Sequence, residues 1–132
     1  MESFTVSTPS REVLIDITSE VKGIVGKSGI KEGFCVVFVP HTTAGVTINE
    51  NADPSVKRDI VDFLGKLIPR EAGFSHVEGN SDAHVKASII GCSETVPVRN
   101  GSLALGTWQG ICFAEFDGPR RRTVHVTVVG SG

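Results

Sequence analysis

Three histidines and several acidic side chains fall in two polar segments of the chain, residues 40–54 and 70–84. His41 lies in the first segment, and His76 and His84 lie in the second. Imidazole nitrogens bind Zn²⁺ and transfer protons near neutral pH, so these residues suit a metal centre or acid–base chemistry. The spacing between His76 and His84 matches no recognised metal motif. Spacing alone therefore leaves a metal site and separate surface histidines both open.

The placement of His84 is more informative than its spacing. It is predicted to be the second residue of a short helix over residues 83–90, with Asp82 as the N-cap. The free N–H groups and the positive dipole end at that position disfavour imidazolium, so a neutral ring could bind a metal or accept a proton. An exposed histidine at a helix start is the competing interpretation. Ser88 lies one turn further on the same helical face and could border the same pocket.

The single tryptophan, Trp108, stands between Gly106 and Gly110 at the start of a predicted strand. Glycine neighbours let other groups approach the backbone closely, so the indole could stack on an aromatic ring, although a core position is commoner. Gln109 and Glu115 share a strand parity with the apolar residues between them. Polar groups on an apolar face must find partners or face a pocket.

Three consecutive arginines, Arg120, Arg121 and Arg122, follow the last predicted turn. They could clamp a phosphate, but arginines in a hairpin turn are more often solvated. The chain contains no phosphate-binding P-loop, no nucleophile elbow and no dinucleotide fingerprint.

Two predicted elements position the first polar segment. Residues 34–39 form an apolar run that predicts a central strand covered on both faces, and a subunit interface could supply one of those covers. A following half-buried strand includes Val46 and Ile48. Asp53 is then predicted to cap a long helix that begins at Pro54. Its apolar stripe consists of Val56, Ile60, Phe63, Leu64 and Leu67.

The remaining patterns complete the fold prediction. Thr18 is expected to cap a helix over residues 19–28, and Asn100-Gly101 is a strong hairpin signal. About seven strands and three helices without βαβ alternation predict an α+β fold. We therefore predict a single domain over residues 1–132, with a mainly antiparallel, β-sandwich-like core and two to three helices.

Length and composition narrow the class of protein. The 132 residues are enough for one domain with a core, and the net charge of −2 gives no reason to expect nucleic acid. Cys35 and Cys112 lie in apolar strand patterns, and the three cysteines show no C-x-x-C spacing, so buried free thiols are expected. No signal peptide and no apolar run long enough for a membrane span is found in the sequence. These features predict a soluble cytoplasmic protein.

Five groups of residues resemble motifs of the YjbQ family, in the expected order and across essentially the whole chain. The groups are residues 41–44, 48–53, 82–84, 93–101 and 106–111. The resemblance implies a trimer of a small α+β domain with a β-sandwich core. It also implies secondary thiamine-phosphate synthase activity, in which a thiazole phosphate displaces diphosphate from an aminopyrimidine, normally with a divalent cation.

With this resemblance, we predict a thiamine-phosphate synthase-like enzyme that acts on a phosphorylated heterocyclic metabolite. Its catalytic residues would be His41, His84, Glu50 and Asp82. Its metal ligands, for Zn²⁺ or Mg²⁺, would be His41, His76 and His84. Its substrate-binding residues would be Asn49, Ser88, Trp108, Gln109 and Glu115. The alternatives are a non-catalytic trimer that binds a metabolite or a metal in the same pocket, and a purely structural trimer.

Overall fold

The computed structural model describes residues 1–76 and 78–131. In these residues it contains eight strands and three helices. In chain order they are β1 Glu2–Ser7, β2 Val13–Asp16, α1 Thr18–Ser28, β3 Gly33–Phe38, β4 Ala44–Glu50, α2 Pro54–Leu67, α3 Ser81–Ile90, β5 Ser93–Arg99, β6 Ser102–Leu103, β7 Gln109–Glu115 and β8 Arg121–Gly130.

Two antiparallel sheets face each other across the main core. The first has the strand order β1-β8-β3-β5-β6, and the second has the order β2-β7-β4. Val37 and Val126 from the first sheet and Val46 and Phe113 from the second belong to one buried cluster. Alternate side chains of each strand point to this shared face, which is the packing of a β-sandwich. The predicted α+β fold with an antiparallel sandwich-like core is confirmed.

Helices α2 and α3 cover the outer face of the second sheet. Cys112 and Ala114 on β7 point away from the main core and pack in a second cluster with Ala83 and Ala87 of α3. Leu64 and its apolar neighbours on α2 are only partly buried against this cluster. Helix α2 begins as predicted: the Asp53 side chain accepts a hydrogen bond from the Ser55 N–H at 2.9 Å.

Among the residues that the structure describes, none forms a layer over the outer face of the five-stranded sheet. On β3, Cys35 and Val37 are fully buried, whereas Phe34 and Phe38 are 42% and 40% exposed. Val129 lies opposite Phe34 on β8 and is also exposed. Strand β3 is therefore central, as predicted, but one chain covers only one of its two faces.

Two predicted helix caps are wrong. Thr18 is the first residue of α1, and its hydroxyl donates to Asp16 at 2.6 Å. Asp82 is the second residue of α3, after Ser81, and the N-cap position is Asn80. In both cases the helix begins earlier than predicted, and the polar side chain bonds to other side chains instead of capping the helix.

The hairpin predicted at Asn100-Gly101 is present, with positive φ angles of 53° and 76°, and it joins β5 to the short strand β6, which the sequence did not predict. In residues 1–76 and 78–131, no helix is long and apolar enough to cross a membrane.

Candidate functional site

A cavity of about 350 Å³ opens between the β3–β4 connection and helix α3. It brings together three of the predicted site residues, His41, His84 and Ser88, although more than forty residues separate the first two along the chain. The lining residues are His41, Thr42, Ala44, His84, Ala87, Ser88, Gly91 and Cys92.

Main-chain contacts hold the two sides of this cavity together. The Val39 N–H donates to the Cys92 carbonyl at 2.7 Å, and the Val46 N–H donates to the Gly91 carbonyl at 3.1 Å. Gly45 permits this approach, because a Cβ there would lie 2.4 Å from the Gly91 oxygen. The segment that carries His41 is thus attached at both ends to the residues that follow α3.

The His41 ring is half-buried and accepts a hydrogen bond at Nε2 from the Thr123 N–H, at 2.9 Å. Burial lowers its pKa from the ordinary value, and the nearby positive charge of Arg122 lowers it further. Glu115 opposes this effect. The surroundings therefore favour the neutral imidazole.

The charges of Arg122 and Glu115, which act on His41, belong to a buried ion pair. The Glu115 carboxylate accepts hydrogen bonds from Arg122, from the Thr8 hydroxyl at 2.8 Å and from the Asp117 N–H at 3.1 Å. Burial alone would raise the pKa of Glu115, but these donors together hold it below the ordinary value. The carboxylate is fully buried, so in this structure it does not face the cavity. Its partners are protein groups.

The arginines behave differently from one another. The Arg122 side chain is 5% exposed, so the interpretation of all three as solvated is wrong for this residue. Arg120 is exposed and pairs with Asp117 at 2.9 Å. Arg121 is exposed at the start of β8. Strand parity could have indicated this difference, because Arg122 shares the inward parity of Val124.

Asp82 lies two residues before His84 but has different neighbours. Its carboxylate accepts hydrogen bonds from Arg11 at 3.0 Å and 3.2 Å and from Lys86 at 2.9 Å. Lys86 is 1% exposed and also contacts Glu12 at 3.1 Å. Burial opposes ionisation of Asp82, but the two cations hold its pKa below the ordinary value. This cluster fixes α3 against the segment before β2.

His76 lies beside His84, with 5.5 Å between the ring centroids and the rings nearly perpendicular. Its Nδ1 is 2.9 Å from the Ser81 hydroxyl, and its Nε2 is 3.8 Å from Glu78. Within residues 1–76 and 78–131, no group of three or more histidine, cysteine, aspartate or glutamate side chains has the arrangement of a metal site. The predicted three-histidine ligand set is therefore not assembled in these residues of a single chain.

The other predicted site residues lie at the far end of the second sheet. The register pairs Ala44 with Glu115 at one end of β4 and Glu50 with Gln109 at the other. Six residue steps along a strand span roughly 20 Å. Asn49 is exposed beside Glu50, and Trp108 is 65% exposed in the turn before β7.

Local contacts hold the residues at this far end of the sheet, which we call the Trp108 group: Asn49, Glu50, Trp108 and Gln109. The Gln109 side-chain oxygen accepts from the Gly106 N–H at 2.8 Å, which closes the turn that carries Trp108. The close approach expected at Gly110 is real, because a Cβ there would lie 2.5 Å from the Asn51 side chain. In one chain, the Trp108 group and the His41–His84 cavity form two separate surfaces.

Sequence reasoning missed two groups near the cavity. Cys92 is an exposed free thiol in its lining, and the main chain of Thr123 orients His41. The one sequence signal for Cys92 in the cavity lining was its position just after the predicted helix that carries His84. By contrast, Cys35 and Cys112 are buried free thiols as predicted, and burial raises the pKa of Cys35 to about 11.

The geometry thus defines a two-sheet α+β protein with an open, histidine-lined cavity beside its second sheet. A family described as UPF0047 protein YjbQ-like matches residues 2–131. The chain belongs to this YjbQ family, as its motifs predicted.

The chain is similar to known relatives and to solved structures over nearly its whole length. A UPF0047 protein of Methanocaldococcus jannaschii is 56% identical, over 96% of this chain and 92% of its own. The UPF0047 protein YugU of Bacillus subtilis is 47% identical, over 98% of this chain and 99% of its own. A crystal structure of an uncharacterized YjbQ/UPF0047 family protein from Clostridium acetobutylicum superposes with a TM-score of 0.96 at 53% identity, covering 98% of this chain and 100% of that one. A YbjQ-like protein from Sulfolobus solfataricus gives a TM-score of 0.95 at 38% identity, covering 98% and 96%.

Proposed function

We propose that the chain is a cytoplasmic enzyme that acts on a small phosphorylated heterocyclic metabolite in the His41–His84 cavity. The observation that carries this proposal is the convergence of His41, His84 and Ser88 on one open cavity of about 350 Å³. Small-molecule sites have volumes of this order and few, well-placed polar groups.

A thiamine-phosphate synthase-like reaction fits this arrangement. In it, a thiazole ring nitrogen forms a C–N bond to the exocyclic carbon of an aminopyrimidine, and the C–O bond to diphosphate breaks. Diphosphate leaves with the bonding electrons. His84 is the candidate for proton transfer to the leaving group, because its half-buried ring lines the cavity. His41 contacts the substrate on the opposite wall.

A divalent cation is part of the expectation from the family, but the residues of one chain do not fit a three-ligand site. His76 and His84 are adjacent, whereas the Nε2 of His41 already accepts a hydrogen bond from Thr123. A cation would therefore need ligands from the substrate's phosphates or from a second subunit. We assign it no step in the reaction.

We also propose that the protein is a homotrimer. The support in the structure is the uncovered apolar face of the five-stranded sheet, where Phe34, Phe38 and Val129 are exposed. Closed cyclic assemblies bury such a face equally in every subunit. His41 comes three residues after Phe38, the last residue of β3, so the cavity lies near the end of this face that carries Phe38.

The test of function measures turnover with a thiazole phosphate and an aminopyrimidine diphosphate, with and without added Mg²⁺. We expect His84→Ala to lose the activity while its unfolding midpoint stays close to that of the wild type. Val85→Ala is the matched control, because this exposed side chain follows His84 on α3 and lies outside the cavity lining. Ligand binding without turnover in the wild type would instead support the non-catalytic metabolite-binding alternative.

A further inference from the structure

The hydrogen bond between Thr123 and His41 fixes the position of the imidazole proton. A backbone N–H can only donate, so the nitrogen that receives it must carry a lone pair and no hydrogen. Here that nitrogen is Nε2, at 2.9 Å from the Thr123 nitrogen. A neutral ring therefore carries its proton on Nδ1.

The surroundings of the ring support the neutral form. His41 is half-buried, and the guanidinium of Arg122, which pairs with Glu115, also donates to the carbonyl and hydroxyl of Thr43, two residues after His41. A second positive charge at His41 would be placed near that guanidinium and would also break the bond from Thr123. Among the hydrogen bonds of the described residues, none uses the Nδ1 of His41. The ring lines the cavity, so this donor is the one that His41 can offer to a ligand.

We propose that His41 is a fixed, neutral hydrogen-bond donor whose Nδ1–H binds a phosphate oxygen of the ligand in the His41–His84 cavity. A phosphate presents only acceptor atoms, and a hydrogen bond to a charged acceptor is stronger than one between neutral groups. The choice of phosphate rests on the proposed function, whereas the assignment of the donor rests on the Thr123 contact alone.

This role excludes two others for His41 as long as the Thr123 bond persists. A metal ligand needs a free lone pair, but the Nε2 lone pair is occupied and Nδ1 carries the proton. A general base needs the same free lone pair. His41 is therefore a binding and positioning residue, and acid–base chemistry in the cavity is left to other groups.

Two amide substitutions separate the two ring nitrogens. The Asn amide nitrogen is attached to Cγ, like Nδ1, so His41→Asn keeps a donor at the ligand position and loses the acceptor for Thr123. In His41→Gln, the amide oxygen reaches the ε position, so this variant keeps the acceptor and loses the donor. With inorganic phosphate as the probe, we expect His41→Gln to bind roughly tenfold more weakly than the wild type. His41→Asn should bind within about threefold of the wild type but unfold at a lower temperature.

Nitrogen-15 NMR of the imidazole of the free protein tests the tautomer directly. The expected result at neutral pH is a protonated Nδ1 and an unprotonated Nε2 in His41. A protonated Nε2 would overturn the inference, and so would equal loss of phosphate binding in both amide variants. A correct tautomer with no phosphate binding to the wild type would overturn the assignment of the ligand. None of these measurements depends on turnover. Their results would therefore stand even if the protein showed no thiamine-phosphate synthase activity.

Discussion

Asp82 and His84 lie two residues apart on α3, yet the Asp82 carboxylate is fully buried against Arg11 and Lys86 while the His84 ring lines an open cavity. Successive helical positions are about 100° apart, so two nearby residues can serve different surfaces. The sequence pairs them as an acid and a base, whereas the structure gives them different environments.

Replacement of Asp82 by alanine is expected to destabilise the protein by about 3–5 kcal/mol, because Lys86 would remain buried with one partner fewer. Urea denaturation measures this change. Asp59→Ala on the exposed face of α2 is the control and should stay within about 0.5 kcal/mol of the wild type. A variant of Asp82 that is fully stable but inactive would restore the catalytic role predicted from the sequence.

The Glu115–Arg122 pair should behave as a unit. Removal of one charge, as in Glu115→Gln, leaves an uncompensated buried arginine and is expected to cost about 3–5 kcal/mol. A double variant, Glu115→Leu with Arg122→Met, should recover part of that loss, because it leaves no unpaired buried charge, although Thr8 and the Asp117 N–H lose their acceptor. Chemical denaturation of the two variants checks this, and additive losses would contradict it.

Stability should fall in mild acid because of His41. Its pKa is below the ordinary value of 6.5 in the folded chain, through burial first and Arg122 second. Near and below that value, the unfolded chain binds a proton that the folded chain does not, so the free energy of unfolding decreases as the pH falls. Thermal melts across this range should show a smaller slope in His41→Gln. An identical slope in the wild type and in His41→Gln would show that other groups cause the loss of stability in acid.

The proposed trimer predicts a mass in solution of about three times the 14.0 kDa of the chain, measured by light scattering at micromolar concentration. Replacement of Phe38 by aspartate on the uncovered sheet face should shift the mass toward the monomer. Phe63→Asp is the control, because it is equally apolar and 57% exposed on α2, away from that sheet. A wild-type monomer would refute the proposal.

Any metal bound near the cavity should depend on the neighbouring rings of His76 and His84, whose centroids are 5.5 Å apart. Any divalent ion that elemental analysis finds in protein purified without chelator or histidine tag should be lost in His76→Ala and His84→Ala. It should persist in His41→Gln, because the Nε2 of His41 is already engaged with Thr123. Equal loss in all three variants would favour the three-histidine site.

The sequence predicted the elements well, because their signals are local. Asp53 with Pro54 begins α2, and Asn100-Gly101 forms its hairpin, since each acts through neighbouring residues. The meeting of His41 with His84 was supported only by family resemblance. It depends on the contact of Gly45 with the segment after α3, which joins distant parts of the chain.

The role of buried charges could not be predicted from types and spacing. Asp82 is predicted to belong to the site because it is an acid near histidines, and Glu115 because it is a polar residue on a mainly apolar strand face. In the folded chain Glu115 pairs with Arg122 of β8, and Asp82 pairs with Lys86 one turn further along α3 and with the distant Arg11. These partners leave the carboxylates without solvent contact. A polar residue with inward parity indicates that partners exist, but only the tertiary structure identifies them.

The two main-chain bonds from Val39 and Val46 to the residues after α3 also bear on the kinetics of ligand association. They hold the intervening segment at both ends, so little conformational entropy remains to be lost when a ligand enters. A cavity of this kind needs no slow opening step before binding. Differences in affinity among its ligands should then appear mainly in their dissociation rates, with similar association rates across the series.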